Sequence, residues 1–141
     1  MPTIVSFMQH DHERLDKLFG EYQKEQSSNP AKKLTLFQEF RNGLEKHIKW
    51  EQEILFPIFE KKTGIPQGGP TEVMNMEHSH IKTFLENIGE RLQKNERTND
   101  VDENLILTLR QHNYKEENIL YPSIDGVISA SETKEILEKM K

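Results

Sequence analysis

The sequence contains no cysteine. That absence removes thiolate metal sites, iron–sulfur clusters and cysteine nucleophiles, and it leaves His, Asp and Glu as the ligand types available to a metal. Long apolar runs are missing too. No stretch approaches the ~20 residues of a membrane helix, and Met1 to Phe7 shows no basic segment followed by an apolar run of secretory length. A soluble cytoplasmic protein with no membrane partner is the expectation. Positive charge is not in excess either: the net charge is -5, the calculated pI is about 5.7, and lysines are interspersed with glutamates. No phosphate-binding face is implied, and nucleic acid is not an expected partner. Apolar residues are scarce at 33 %, low even after the 7 glycines are added, which predicts a narrow core. Period-two alternation is absent over any useful length, so strands are not expected. His-Glu-x-x-His, a Gly-rich phosphate loop and a Gly-x-Ser-x-Gly elbow are all lacking.

What is present is helical periodicity. Ile4, Met8, Leu15, Leu18, Phe19 and Tyr22 follow helical spacing to about Glu25, with Thr3 as a cap, and Ser27-Ser28-Asn29-Pro30 ends this segment. A second run from Leu34 through Phe37, Phe40, Leu44, Ile48, Ile54, Leu55, Ile58 and Phe59 reaches Lys62, with a kink expected at Pro57. Gly64 to Pro70 reads as a loop. Thr71 is the expected cap of a third helix carrying Val73, Met74, Ile81, Leu85, Ile88 and Leu92. The fourth helix, with Leu105, Leu107, Leu109, Ile119 and Leu120, is expected to run to about Tyr121. Ser129 or Ser131 then starts a short terminal helix edged by Ile136, Leu137 and Met140. The expectation is an all-α, up-down-up-down four-helix bundle with a short C-terminal helix. The 141 residues form one domain, with the bundle at about 4–122 and a C-terminal extension at about 123–141.

An internal repeat carries the chemistry. His47-Ile-Lys-Trp-Glu51-Gln-Glu-Ile-Leu-Phe-Pro57 and His112-Asn-Tyr-Lys-Glu116-Glu-Asn-Ile-Leu-Tyr-Pro122 are near copies, each giving His-x-x-x-Glu. Residues four apart stack on one helix face, so each stretch can offer an imidazole and a carboxylate to one point. The openings of the first and third helices also match, as Met8-Gln-His10-Asp-His12 against Met76-Glu-His78-Ser-His80.

Helix geometry sorts the six histidines. At about 100° per residue, His12 lies within roughly 60° of Met8, Leu15 and Phe19, and His78 within roughly 60° of Met74, Ile81 and Leu85, whereas His10 and His80 fall about 160° away. By the same arithmetic His47 and Glu51 share the face of Phe40, Leu44, Ile54 and Ile58. His112 and Glu116 share that of Leu105, Leu109 and Ile119, while Glu53 and Glu117 turn outward. The inward polar set is His12, His47, Glu51, His78, His112 and Glu116. A single inward histidine is ordinary, but two buried carboxylates are costly unless paired or coordinated, and no lysine or arginine shares these faces. A pair of dications supplies the compensation: each takes two imidazoles, and the two glutamates bridge. Iron, with manganese or zinc as alternatives, suits such a sulfur-free donor set.

With these residues in view, the chain resembles the hemerythrin-like family, the His-His-Glu cation-binding domains. The resemblance rests on Asp11-His12 with Leu15, on His47-x-x-x-Glu51 running into Ile-Leu-Phe-Pro57, on Glu77-His78 with Ile81, and on His112-x-x-x-Glu116 running into Ile-Leu-Tyr-Pro122. It implies a four-helix bundle around two iron ions, oxo- or hydroxo-bridged. Oxygen-carrying hemerythrins have a fifth histidine four residues from the third-helix histidine, where this chain has Met74 and Lys82. The ligand set is more similar to that of the repair-of-iron-centres proteins, whose N-terminal cysteine-bearing domain is absent from this sequence. The implied partner is a small diatomic or peroxide ligand: dioxygen, peroxide or nitric oxide, in stress defence, sensing or iron handling. An iron-responsive interaction module and an oxygen carrier or store are the alternatives, and the oligomeric state is left open.

Overall fold

The computed structural model describes residues 2–25, 29–65 and 69–140. Ser27 and Ser28 of the first expected break, and residues 66–68 of the expected loop, lie outside the described residues. Among the described residues every element is helical. Helix α1 (Ile4–Lys24) starts at Thr3 in a reciprocal cap: the Ser6 N–H donates to Thr3 Oγ1 at 3.0 Å and the Thr3 N–H donates to Ser6 Oγ at 2.9 Å. Asp125, from the far end of the chain, accepts the Ile4 and Val5 N–H groups at 2.9 and 3.1 Å, placing a carboxylate on the positive end of the helix.

Helix α2 (Pro30–Trp50) passes through a π-helical turn (Glu51–Leu55) into α3 (Phe56–Thr63), which ends on Gly64 in the left-handed region, φ 71°. Helix α4 (Pro70–Gln93) is capped at Gly69, not at Thr71. Pro70 takes the first helical position, and the Thr71 hydroxyl instead donates to Glu60 Oε2 at 2.8 Å, joining α4 to α3. Helix α5 (Asn99–Lys115) passes through a second π-turn (Glu116–Leu120) into α6 (Tyr121–Val127), and Ser129 caps α7 (Ala130–Lys139).

Both His-x-x-x-Glu rods therefore continue through their prolines, and the fourth extends beyond Tyr121. In a straight α-helix a proline ring collides with the carbonyl four residues back. Here the Phe56 N–H reaches the Glu51 carbonyl and the Tyr121 N–H reaches that of Glu116, five residues back, so the backbone widens just before each proline. Pro57 and Pro122 then occupy first-turn positions of α3 and α6, where no N–H is needed. The extra residue advances the inward face by one. Leu55, Phe56 and Phe59 are buried, as are Leu120, Tyr121 and Ile124, whereas Ile119 is 57 % exposed and Ile54 and Ile58 are only half-buried. Two other residues of the expected apolar stripes also face outward. Leu107 sits between inward Leu105 and Leu109, and Val73 lies one residue off Met74; both are exposed.

The bundle packs α1 on α2 and α6, α4 on α5 and α2, and α3 on α6, with α7 against α1. Its core is divided. One apolar cluster includes Leu15, Phe19, Tyr22, Phe37, Phe40, Leu44, Ile81, Leu85, Ile88 and Leu105. The other includes Ile4, Met8, Leu55, Phe56, Phe59, Met74, Leu120, Tyr121 and Ile124, closed off by Ile136, Leu137 and Met140 of α7. Along each rod the switch from one cluster to the other falls at the inward histidine or just beyond it, so the polar residues form a layer with apolar packing on both sides. Among the described residues no helix is long and apolar enough to cross a membrane.

Candidate metal centre

The structure brings all six expected residues into that layer. His12, His47, His78 and His112 are each at most 3 % exposed, and Glu51 and Glu116 are wholly buried. They form two adjoining groups of ligand atoms, one of Glu51, His78, His112 and Glu116 and the other of His12, His47 and Glu116, each able to hold a metal ion. The imidazoles pair accordingly: the ring centroids of His12 and His47 are 4.6 Å apart, and those of His78 and His112 are 4.8 Å apart. Glu116 spans the groups, its Oε1 lying 3.3 Å from His12 Nε2 and its Oε2 3.3 Å from His112 Nε2. Glu51 Oε1 is 3.2 Å from His78 Nε2 and 3.8 Å from His47 Nε2.

This donor set fits a cation and little else. Glu51 Oε1, His78 Nε2 and both oxygens of Glu116 are buried without a hydrogen-bond partner, although buried polar atoms are nearly always paired. Among the described residues the groups within ion-pair reach of either carboxylate are imidazoles. Burial, reinforced by the charge of Glu116, pushes the Glu51 carboxyl well above the ordinary range. Burial acts on Glu116 in the same direction but is outweighed by its interactions with Glu51 and His112, which hold it well below that range. Burial drives His47 down, and it drives His78 down to about 3 with help from the charge of His112. For His12 and His112 burial is outweighed by the adjacent Glu116, and both are raised. Titratable groups pushed apart in this way, in a buried layer, are in keeping with the unpartnered ligand atoms, whose charge a cation would balance.

A surrounding ring of side chains holds each imidazole by its Nδ1. His47 Nδ1 is 2.8 Å from Asp11 Oδ2, His112 Nδ1 is 2.7 Å from Glu77 Oε1, and His12 Nδ1 is 2.9 Å from Glu117 Oε2. A carboxylate there keeps the proton on Nδ1 and turns the Nε2 lone pair into the centre, as metal-binding histidines require. The fourth partner is neutral: Gln52 Nε2 lies 3.2 Å from His78 Nδ1 and donates to Asn75 Oδ1 at 3.1 Å. Arg14 steadies Asp11 at 2.9 Å, and Lys115 pairs with Glu77. Burial pushes the Asp11 and Glu77 carboxyls up, but bonds to histidine and to these cations outweigh it and hold both below their ordinary values.

These partners follow the repeat. Asp11-His12 corresponds to Glu77-His78, and Glu51-Gln52 to Glu116-Glu117; in every pair one residue faces the centre and its neighbour orients a histidine on another rod. Met8 therefore matches buried Met74, not Met76, which is 59 % exposed. Glu117, whose α-helical angle pointed away from the inward face of its own rod, reaches His12 on another rod, as Asp11 and Glu77 reach theirs. Glu53, His10 and His80 are on the surface as expected.

Tyr121 is a further residue of the layer that helical arithmetic missed. It is wholly buried, and its hydroxyl donates to Glu51 Oε2 at 2.9 Å, 3.1 Å from His47 Nε2 and 3.4 Å from His12 Nε2. Burial, with Glu116 and Glu51 nearby, pushes its phenol well above the ordinary value, so it stands here as a donor. The signal was present in the repeat, where Ile-Leu-Phe-Pro becomes Ile-Leu-Tyr-Pro.

Comparison with known proteins agrees with this geometry. The hemerythrin HHE cation-binding domain matches residues 3–124. A DNA nickase from Nostoc sp. is 27 % identical over 139 residues, 99 % of this chain but 38 % of the length of that protein. No solved structure matches. The match to the HHE domain, covering most of the chain and all six converging histidines and glutamates, shows that the chain belongs to the hemerythrin HHE cation-binding domain family.

Proposed function

We propose that this protein is a non-haem di-iron protein that binds or reduces a small oxidant such as dioxygen, peroxide or nitric oxide. The observation that carries the reading is the set of four buried, unpartnered ligand atoms facing one another across two adjoining groups. His12 and His47 would hold one ion, His78 and His112 the other, with Glu51 and Glu116 between them. When bound in its reduced state, iron supplies the electrons for a small oxidant. The protein contributes the rest. Asp11, Glu77 and Glu117 hold the imidazoles with Nε2 inward, the apolar clusters cover the layer from both sides, and in the metal-free protein the Tyr121 hydroxyl satisfies Glu51 Oε2.

Four imidazoles and two carboxylates leave coordination positions open, which favours reaction over simple carriage. The residues four before and four after His78 are Met74, buried in the apolar cluster, and Lys82, exposed, so neither supplies a fifth imidazole. The test is to load the protein with ferrous iron without air and then admit oxygen or nitric oxide. The reading expects new visible absorption from the oxidised or nitrosylated centre. A loaded protein whose spectrum is indifferent to both would sink it.

Two further readings have an observation each. The uncompensated carboxylates tie the fold to metal occupancy, as an iron-responsive interaction module requires; equal protease resistance with and without iron would refute that. The name of the Nostoc relative raises phosphodiester nicking, against which stand the net charge of -5 and the small share of that protein matched. Incubation with supercoiled plasmid separates the readings, since the oxidant reading predicts no nicking.

A further inference from the structure

The two halves of the centre are related by the repeat but are not alike. Phe56 and Tyr121 occupy equivalent positions, each five residues beyond its glutamate and each turned inward by its π-turn. Phe56 stacks on His78, centroids 5.9 Å apart and rings within 7° of parallel; Tyr121 lies against the corresponding His12 at 5.8 Å. Phe56 therefore completes the His78–His112 half with carbon, whereas Tyr121 adds an oxygen to the His12–His47 half. That oxygen has a particular spacing. Ligands at adjacent corners around an ion with bonds of about 2.1 Å lie about 3 Å apart, and the Tyr121 oxygen is 2.9, 3.1 and 3.4 Å from Glu51 Oε2, His47 Nε2 and His12 Nε2.

Building on the di-iron reading, we propose that the Tyr121 oxygen is a seventh protein ligand, taken by the ion at His12 and His47, and that the ion at His78 and His112 keeps the open position for a small ligand. The asymmetry of the orienting ring runs the same way. His12, His47 and His112 are held by carboxylates, Glu117, Asp11 and Glu77, while His78 alone is held by the neutral Gln52 amide. The Tyr121 oxygen and one more orienting carboxylate thus fall on the His12–His47 half, while Glu51 and Glu116 both present an oxygen to the His78–His112 half. A phenolate on the His12–His47 half would make its ion the harder one to reduce and would leave the exchangeable position to the other. On coordination the phenolic O–H bond breaks, the oxygen–metal bond forms, and the proton leaves to solvent with metal uptake.

The test is resonance Raman spectroscopy of the iron-loaded, air-oxidised wild-type protein, with metal analysis of the same sample. The expected result is a phenolate-to-iron absorption band whose excitation enhances tyrosine ring vibrations, and loss of both in Tyr121→Phe, the residue found at the equivalent position in the repeat. Iron bound in the wild type with no enhanced ring vibrations would overturn the ligand while leaving the di-iron reading intact. A band unchanged in Tyr121→Phe would also overturn it. A protein that takes up no iron would overturn both together, so the two failures are distinguishable, and the wild-type spectrum decides even if the variant folds poorly.

Discussion

Removing Asp11 should weaken metal binding without removing a ligand. Asp11 accepts from His47 Nδ1 at 2.8 Å and is itself held by Arg14 at 2.9 Å, so the His47 ring is fixed in plane and tautomer by a braced carboxylate. In Asp11→Ala the Nδ1–H of a ring that is 1 % exposed loses its acceptor. Leaving such a donor unsatisfied costs about 1–3 kcal/mol, and loss of the partner of a metal-binding histidine typically weakens the metal by about 10- to 100-fold, or about 1.4–2.8 kcal/mol. Asp11→Asn keeps an acceptor oxygen of the same reach but not its charge, so its loss should be the smaller. Glu77→Ala should match Asp11→Ala, because Glu77 holds His112 at 2.7 Å in the equivalent place. Gln52→Ala should cost least, since a neutral amide at 3.2 Å is the weakest of the four supports. The assay is competition for ferrous iron against a chelator of known affinity, under anaerobic conditions, with helicity monitored by circular dichroism. Equal affinities across Asp11→Ala, Asp11→Asn and Gln52→Ala would refute the argument that these partners orient the ligands.

Away from the centre, Tyr22, Thr98 and Asp102 form a buried cluster: the Tyr22 hydroxyl is 2.7 Å from Thr98 Oγ1 and donates to Asp102 Oδ1 at 3.1 Å. Burial raises the Asp102 carboxyl above its ordinary 3.8, so the folded state binds its proton more tightly, and the stability this brings is complete below 3.8 and lost as pH rises through the folded value. Asp102→Asn should therefore gain on the wild type between pH 4 and pH 7.5, and melting curves showing a constant difference would contradict this. Phe40→Ala, at a site 1 % exposed and edge-on to Phe19 at 4.7 Å, should cost about 3–5 kcal/mol in urea unfolding. Asp125→Ala removes the carboxylate that caps α1 at Ile4 and Val5, and should lower stability by about 1–2 kcal/mol, with hydrogen exchange accelerated at those two amides.

The helices and the inward histidines were legible because both follow from one number, the 100° turn of an α-helix. Where the backbone keeps that number, the reading holds: His12, His47, Glu51, His78, His112 and Glu116 converge, and His10, His80 and Glu53 do not. It fails just past each glutamate, where a π-turn inserts one residue ahead of a proline. Ile119 then swings out and Tyr121 enters the layer. The Ile-Leu-Phe-Pro and Ile-Leu-Tyr-Pro runs marked the place, but a proline in a helix reads first as a kink or an end. Asp11, Glu77 and Glu117 escaped for another reason. Each turns toward a histidine on a different rod, and helical periodicity describes one rod at a time. The match of Met8 to Met76 misled because identical letters outweighed the burial pattern, which pairs Met8 with Met74.

The most direct test of a shared two-metal centre is an anaerobic count of ferrous iron bound per chain, for the wild type and for His47→Ala and His112→Ala. The account predicts about two ions in the wild type, as expected of a carboxylate-bridged helical-bundle site, and the loss of about one ion in each variant. Fewer than about one ion in the wild type, or metal content unchanged by either substitution, would contradict it.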